Sequence, residues 1–91
     1  MPGIPPEKSL IEYPSLFPIK VMGGNVDGFT EAVLGVVQSF DPTFDAESIE
    51  TRASSGSKYL AITATVTATS RDQLDNLYRA LSSHPMVKVV L

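Results

Sequence analysis

An α+β sandwich, a four-stranded antiparallel sheet carrying two helices on one face, is the fold class this sequence predicts. Three observations lead there. Two segments space their apolar residues as a helix would, and four others alternate or run apolar at strand length. Their order is strand, helix, strand, strand, helix, strand. Both helical stripes need an apolar surface to cover them, and one face of a single sheet can serve the two together.

The elements follow in order. Residues 1–15, MPGIPPEKSLIEYPS, hold four of the seven prolines and read as an irregular arm, because proline lacks an amide donor and disfavours helix before it. Within it SLIEY allows one helical turn that would pack Leu10, Ile11 and Tyr13 on the body formed by residues 16–91. LFPIKVMG alternates Phe17, Ile19 and Val21 against Lys20 and Met22, a strand with one buried face. A helix fits residues 28–40, where Phe29, Ala32, Val33, Val36, Val37 and Phe40 form one stripe. Asp27 is the expected N-cap, and Pro42 in DPT ends the helix.

ESIETRAS alternates Ile49, Thr51 and Ala53 against Ser48, Glu50 and Arg52, which suits a second strand. SSGS turns the chain into KYLAITATVTAT, and the two strands make a hairpin. Leu60, Ile62, Ala64, Val66 and Ala68 share one face of the third strand; Tyr59, Ala61, Thr63, Thr65 and Thr67 share the other. SRDQ is a capping box, in which the Ser70 hydroxyl serves the Gln73 amide and Gln73 reaches back. Leu74, Leu77, Tyr78 and Leu81 supply the second helical stripe, SSHP stops it, and MVKVVL is the fourth strand. The result is the βαββαβ, ferredoxin-like arrangement. If the stripes face the sheet, truncating Val36 or Leu77 to Ala costs about 2–5 kcal/mol.

Composition bounds the function. With 91 residues, 43% of them hydrophobic, the chain suits one small globular domain. The absence of cysteine excludes disulfides, thiolate zinc sites and cysteine nucleophiles. No basic region followed by an apolar run marks a signal peptide, and no stretch approaches the ~20 apolar residues of a membrane span, so a cytoplasmic protein is expected. Net charge is −3, and seven Lys and Arg are scattered without a cluster in sequence, which argues against nucleic acid as a partner.

Few residues suggest chemistry. Gly23-Gly24-Asn25 sits between strand and helix, but no Lys-Ser or Lys-Thr follows and Gly23, Gly24 and Gly28 do not make G-x-G-x-x-G. The Asp27 carboxylate would repel a phosphate at the helix N-terminus. A zwitterion fits better: amides of Gly24 and Asn25 could meet a carboxylate while Asp27 attracts an ammonium group. The bland account is that the glycines permit positive φ in a tight connection. His84, alone and before Pro85, reads as a solvated spacer, and Asp41, Asp45, Glu47 and Glu50 as a solvated acidic connection without calcium-loop spacing. No G-x-S-x-G elbow is present, so no enzyme, metal or cofactor is expected.

The outward sheet face would carry Lys20, Met22, Tyr59, Thr63, Thr65 and Lys88, with Val90 beside them. RNA-recognition modules of this topology stack bases on aromatics there; one tyrosine among hydroxyls suits weak RNA binding at most. Met22, Val90 and an edge position for the last strand favour a homodimer.

YPSLFPIKVMG and SGSKYLAITATVTATSRDQLDNLYRALSSHPMVKVVL resemble the YbeD-like family of small bacterial proteins. The best markers are Lys20-Val21-Met22-Gly23, Tyr59, Gln73-Leu74, Leu77-Tyr78 and Val90-Leu91; the turn SSGSK departs from the family's Ser-Lys-Gly order. The resemblance implies a ferredoxin-like fold similar to ACT domains, regulatory modules that bind amino acids near the strand-to-helix junction. A non-enzymatic regulatory module, binding an amino-acid-like ligand around Gly23, Gly24, Asn25 and Asp27 or a protein partner, is the function expected.

Overall fold

The structure, a computed structural model, describes residues 12–91. The helical turn expected around Leu10 and Ile11 lies outside them. Six main elements follow one another: β1 (Ser15–Gly24), α1 (Phe29–Phe40), β2 (Glu50–Ala53), β3 (Tyr59–Ala68), α2 (Arg71–Ser82) and β4 (Val87–Val90). The strands form one antiparallel sheet in the order β2-β3-β1-β4, with both helices on one face.

Alternation dictates the two faces. β1 and β3 pair along ten residues each, from Ser15 opposite Ala68 to Gly24 opposite Tyr59. Ile19 therefore lies across from Ala64, and Val21 from Ile62, on the face that the helices cover. All four are fully buried, as are Val66 and Ala68. Phe29, Val33 and Val37 of α1 and Leu74, Leu77 and Leu81 of α2 complete this core. Burying each larger side chain contributes ~1.5–3 kcal/mol before chain entropy is counted. Val36 is half-buried against the same core, while Thr65 on the opposite face stays exposed.

Four local outcomes differ from the sequence reading. Asp27 does not cap α1: Gly28 occupies the N-cap at φ 89°, and no side chain accepts from the first turn. The second strand is shorter than ESIETRAS. Asp45 accepts from the Glu47 amide at 2.9 Å and its carbonyl from the Ser48 amide at 3.0 Å, winding Ala46–Ser48 into a 3-10 turn. Local side-chain bonding here defeats alternation. The Gln73 side chain accepts from the Thr69 amide at 2.7 Å, one residue before the Ser70 cap, whose hydroxyl meets the Gln73 amide at 3.0 Å.

The fourth difference is the phase of β4. Met22 faces Val89 but Gly23 faces Val87, so Lys88 is an extra residue in the strand. Such a bulge shifts the alternation by one. Val90 consequently lies opposite Val21 and packs on the core rather than on the open face, and Val89 takes the outward place. Pairing continues one step further: Lys20 and Leu91 exchange both backbone hydrogen bonds, at 3.1 and 2.8 Å.

Among the acids of the described residues Asp41 is the buried exception, only 4% exposed where a solvated connection is expected. β2 pairs with β3 only as far as Thr63, leaving the later β3 amides on that side without a strand partner. Asp41 supplies one: its carboxylate accepts from the Thr67 amide at 2.8 Å, and from the Thr43 hydroxyl and amide at 2.6 and 3.1 Å. Gln73 works beside it, donating to the carbonyls of Phe40 and Thr67 at 2.9 and 3.2 Å. Burial pushes the Asp41 pKa up, but the bonds from the Thr43 hydroxyl, the Thr67 amide and the Thr43 amide outweigh it and hold the carboxyl below its ordinary value.

Asp41→Asn is expected to lose about 1–3 kcal/mol of stability at neutral pH, the penalty of an unsatisfied buried amide, read by urea denaturation. Folding lowers this pKa, so the carboxylate's contribution is present above the ordinary value of 3.8 and is lost as pH falls through the folded one. Parent and variant should therefore converge in stability in strong acid.

Candidate functional site

Two places collect the residues singled out in the sequence: the β1–α1 junction and the open face of the sheet. At the junction Gly23 lies on the inner face, opposite Leu60, and is buried. A β-carbon there would collide with the Met86 carbonyl and the Phe29 ring. Its glycine is thus a packing requirement, and neither it nor Gly24 has positive φ; Gly28 does. Asn25 is tied to the β2–β3 turn, its amide donating to the Lys58 carbonyl at 3.0 Å and its side chain to the Ser57 carbonyl at 3.1 Å. Ser57 presents that carbonyl from a left-handed conformation, φ 58°, that only a few per cent of non-glycine residues adopt. The amide that a zwitterion's carboxylate would need at Asn25 is therefore occupied, and Asp27 stands exposed beside it.

The open face has a regular plan. Antiparallel register sets Glu50, Thr63, Lys20 and Leu91 in one row across β2, β3, β1 and the end of β4. The next row holds Arg52, Ala61, Met22 and Val89, and the one after it places Tyr59 beside Gly24. Ala61 and Gly24 add little bulk between larger neighbours, so the face is dished. A hollow of about 240 Å³ lies there, its lining including Met22, Tyr59, Ala61, Leu91, Lys20 and Arg52. A second, polar hollow of about 320 Å³ adjoins it and shares Lys20, Arg52 and Ala61, adding Glu50 and Thr63.

Tyr59 is 41% exposed and Leu91 65%, both large side chains turned to solvent. The Lys58 ammonium stands 5.8 Å from the centre of the Tyr59 ring, within cation–π range. Lys20 and Arg52, distant in sequence, both line the hollow, and Lys58 stands over Tyr59. Thr63 and Thr65 lie farther along β3, and Lys88 is exposed at the β4 bulge. Glu50, Arg52 and Leu91 join the face only through strand pairing; their spacing in sequence carries no sign of it.

The remaining polar groups have local work. His84 accepts the Met86 amide on Nδ1 at 3.1 Å, shaping the turn into β4. Tyr78 is half-buried on α2, and its burial raises the phenol's pKa. Among the described residues no group of three His, Asp or Glu side chains could hold a metal ion, and no helix is long and apolar enough to cross a membrane.

Comparison with known proteins assigns the family. The model described as "Protein of unknown function (DUF493)" matches residues 8–91. A UPF0250 protein of Leptothrix cholodnii is 63% identical over 91 residues, the whole of both chains. One from Ralstonia nicotianae is 61% identical over 99% of this chain and 93% of its own. Among solved structures, protein HP0495 from H. pylori matches with a TM-score of 0.73 at 18% identity, covering 99% of this chain and 98% of that one. The ACT domain from GTP pyrophosphokinase of Chlorobium tepidum matches at 0.65 and 21% identity, covering 85% and 83%. At such identities the structural likeness shows the shared fold, here the ACT-like form of the ferredoxin-like arrangement. The chain belongs to the DUF493 family, in agreement with the YbeD-like features of its sequence.

The two adjacent glycines should separate sharply on substitution. Gly23→Ala is expected to lower stability by about 1–3 kcal/mol, as overpacking does. Gly24→Ala, whose β-carbon would meet only the Val26 side chain at 3.9 Å, should melt close to the parent in a thermal scan.

Proposed function

We propose that this DUF493-family chain is a non-enzymatic regulatory module whose open sheet face receives a small, amino-acid-like ligand or a protein partner. The observation that carries the reading is the hollow of about 240 Å³ between Met22, Tyr59 and Leu91, on the face the helices leave uncovered. Concave, mostly apolar sites with a few polar groups at their edge are where small ligands bind. Likeness to an ACT domain supports a regulatory role by analogy of fold, which by itself does not assign function. The junction at Gly23, Gly24, Asn25 and Asp27 is the lesser site, because Asn25 already spends its amide on Lys58. Self-pairing through either edge strand, β2 or β4, belongs to the same reading.

Metabolites titrated into ¹⁵N-labelled protein are expected to move the amides of residues 20–22 and 59–63 more than those of 23–27. Silence across both groups, for a broad panel at millimolar concentration and for proteins retained from a native extract, would remove the proposal.

A second reading, weak RNA binding, is favoured by one observation: the exposed Tyr59 ring with Lys58 beside it. Stacking of a base on an aromatic is worth about 1–3 kcal/mol. On that reading Tyr59→Ala should weaken RNA binding at least fivefold in a filter assay; unchanged affinity discards it.

A further inference from the structure

We propose that β2 is the edge through which a second copy of this chain joins the sheet, residues 49–53 pairing antiparallel with themselves about a two-fold axis at Thr51. The inference deepens the self-pairing of the regulatory reading by fixing one edge and one register, and rests on that reading.

The backbone decides what β2 can offer. Arg52 lies opposite Ala61 and Glu50 opposite Thr63, and the Ser54 amide donates to the Tyr59 carbonyl at 2.9 Å. Backbone groups alternate in direction along an antiparallel strand. Those of Glu50, Arg52 and Ser54 therefore turn to β3, and those of Thr51 and Ala53 turn away from it. Ile49 precedes them in extended conformation, at φ −68° and ψ 151°, and continues the outward set. All four β2 residues are exposed, and no proline, lysine or bulge blunts the edge. β4 is guarded by comparison: Lys88 is both a lysine and the extra residue of a bulge.

Side chains select the register. Outward backbone groups bond only with outward groups, so the strand can meet itself only in steps of two residues. With Thr51 opposite the partner's Thr51, Glu50 faces the partner's Arg52 and Ile49 the partner's Ala53. Every pair is then complementary. Opposite charges lie side by side on the open face, and threonine meets threonine and isoleucine meets alanine on the helix side. A shift by two residues one way sets Arg52 against the partner's Arg52, and the other way Glu50 against the partner's Glu50. Like charges directly opposite are unfavourable, so one register wins. The axis stands perpendicular to the sheet, and the two four-stranded sheets join into one with all helices on the same side. This pairing also completes a site: the polar hollow of about 320 Å³ reaches the β2 edge at Glu50, Thr51 and Arg52, where the partner's Arg52 would wall it.

The test uses the full chain, its association read by sedimentation velocity. Five residues a side make a small interface, so a dimer is expected at high micromolar concentration that dissociates on dilution. Glu50→Arg and Arg52→Glu should each weaken it about tenfold, because each sets like charges opposite one another. Both substitutions in one chain should restore it, which a folding defect would not. Thr51→Pro removes an outward amide without touching the β2–β3 bonds and should leave a folded monomer. Register is read with cysteine, which the chain otherwise lacks. Glu50→Cys mixed with Arg52→Cys should cross-link, their α-carbons lying about 4.5 Å apart; either variant alone should not, its copies standing about 7–8 Å apart. A chain monomeric at millimolar concentration, a dimer that Thr51→Pro leaves intact, a double variant no better than the singles, or cross-linking of one cysteine variant alone would overturn the assignment. Metabolite shifts on the open face of such a chain would leave the regulatory reading standing; their absence removes both.

Discussion

The ten-residue pairing of β1 with β3 is the constraint on which the rest of the molecule depends. Side chains alternate along both strands, so this one register decides which residues meet the helices and which meet water. A slip of β1 by one residue against β3 would turn Ile19 and Val21 outward and bring Lys20 and Met22 beneath the helices. With that cost, the register is specified many times over by the apolar pattern. Helix placement follows from it, because Phe29, Val33, Val37, Leu74, Leu77 and Leu81 have one apolar surface to cover.

The long central strand also creates a problem that the chain solves with polar side chains. β3 has ten residues and its neighbour β2 only four, so part of β3 has no strand beside it. Backbone groups left unpaired inside a fold are costly. Asp41, at the end of α1, and Gln73, in the first turn of α2, close this gap by bonding to Thr67 and, for Gln73, to Phe40 and Thr69 as well. The same contacts fix both helix ends against the sheet. Structural economy therefore makes Asp41 an anchor, where its charge alone would have placed it in solvent.

What the helices leave uncovered is shaped by the same register. Ala61 and Gly24 fall among Met22, Arg52 and Tyr59 because β1, β2 and β3 align that way, and the alignment puts Lys20 and Arg52 on the same face, either side of β3. The bulge at Lys88 contributes too: it sends Val90 to the core and turns Val89 and Leu91 outward, adding an apolar wall to the face. At the other candidate place, the hydrogen bonds from Asn25 to Lys58 and Ser57 bind the β1–α1 connection to the β2–β3 turn. That connection is braced from within, and Gly23 is glycine there so that Phe29 can pack.

Apolar periodicity in the sequence was enough to determine the six elements, their order, the two helical stripes and the buried face of β3. These are local or short-range properties, each written in residues two, three or four apart. Only the tertiary structure decided what Asp41, Gly23 and Val90 do. Asp41 answers an unpaired amide 26 positions away, Gly23 makes room for a ring on the next element, and Val90 follows a bulge that its own strand's pattern does not reveal. The open face is divided in the same way. Tyr59, Met22 and Lys20 were legible as outward residues from alternation, but their meeting with Arg52 and Leu91 depends on strand pairing, which brings together residues distant in the chain.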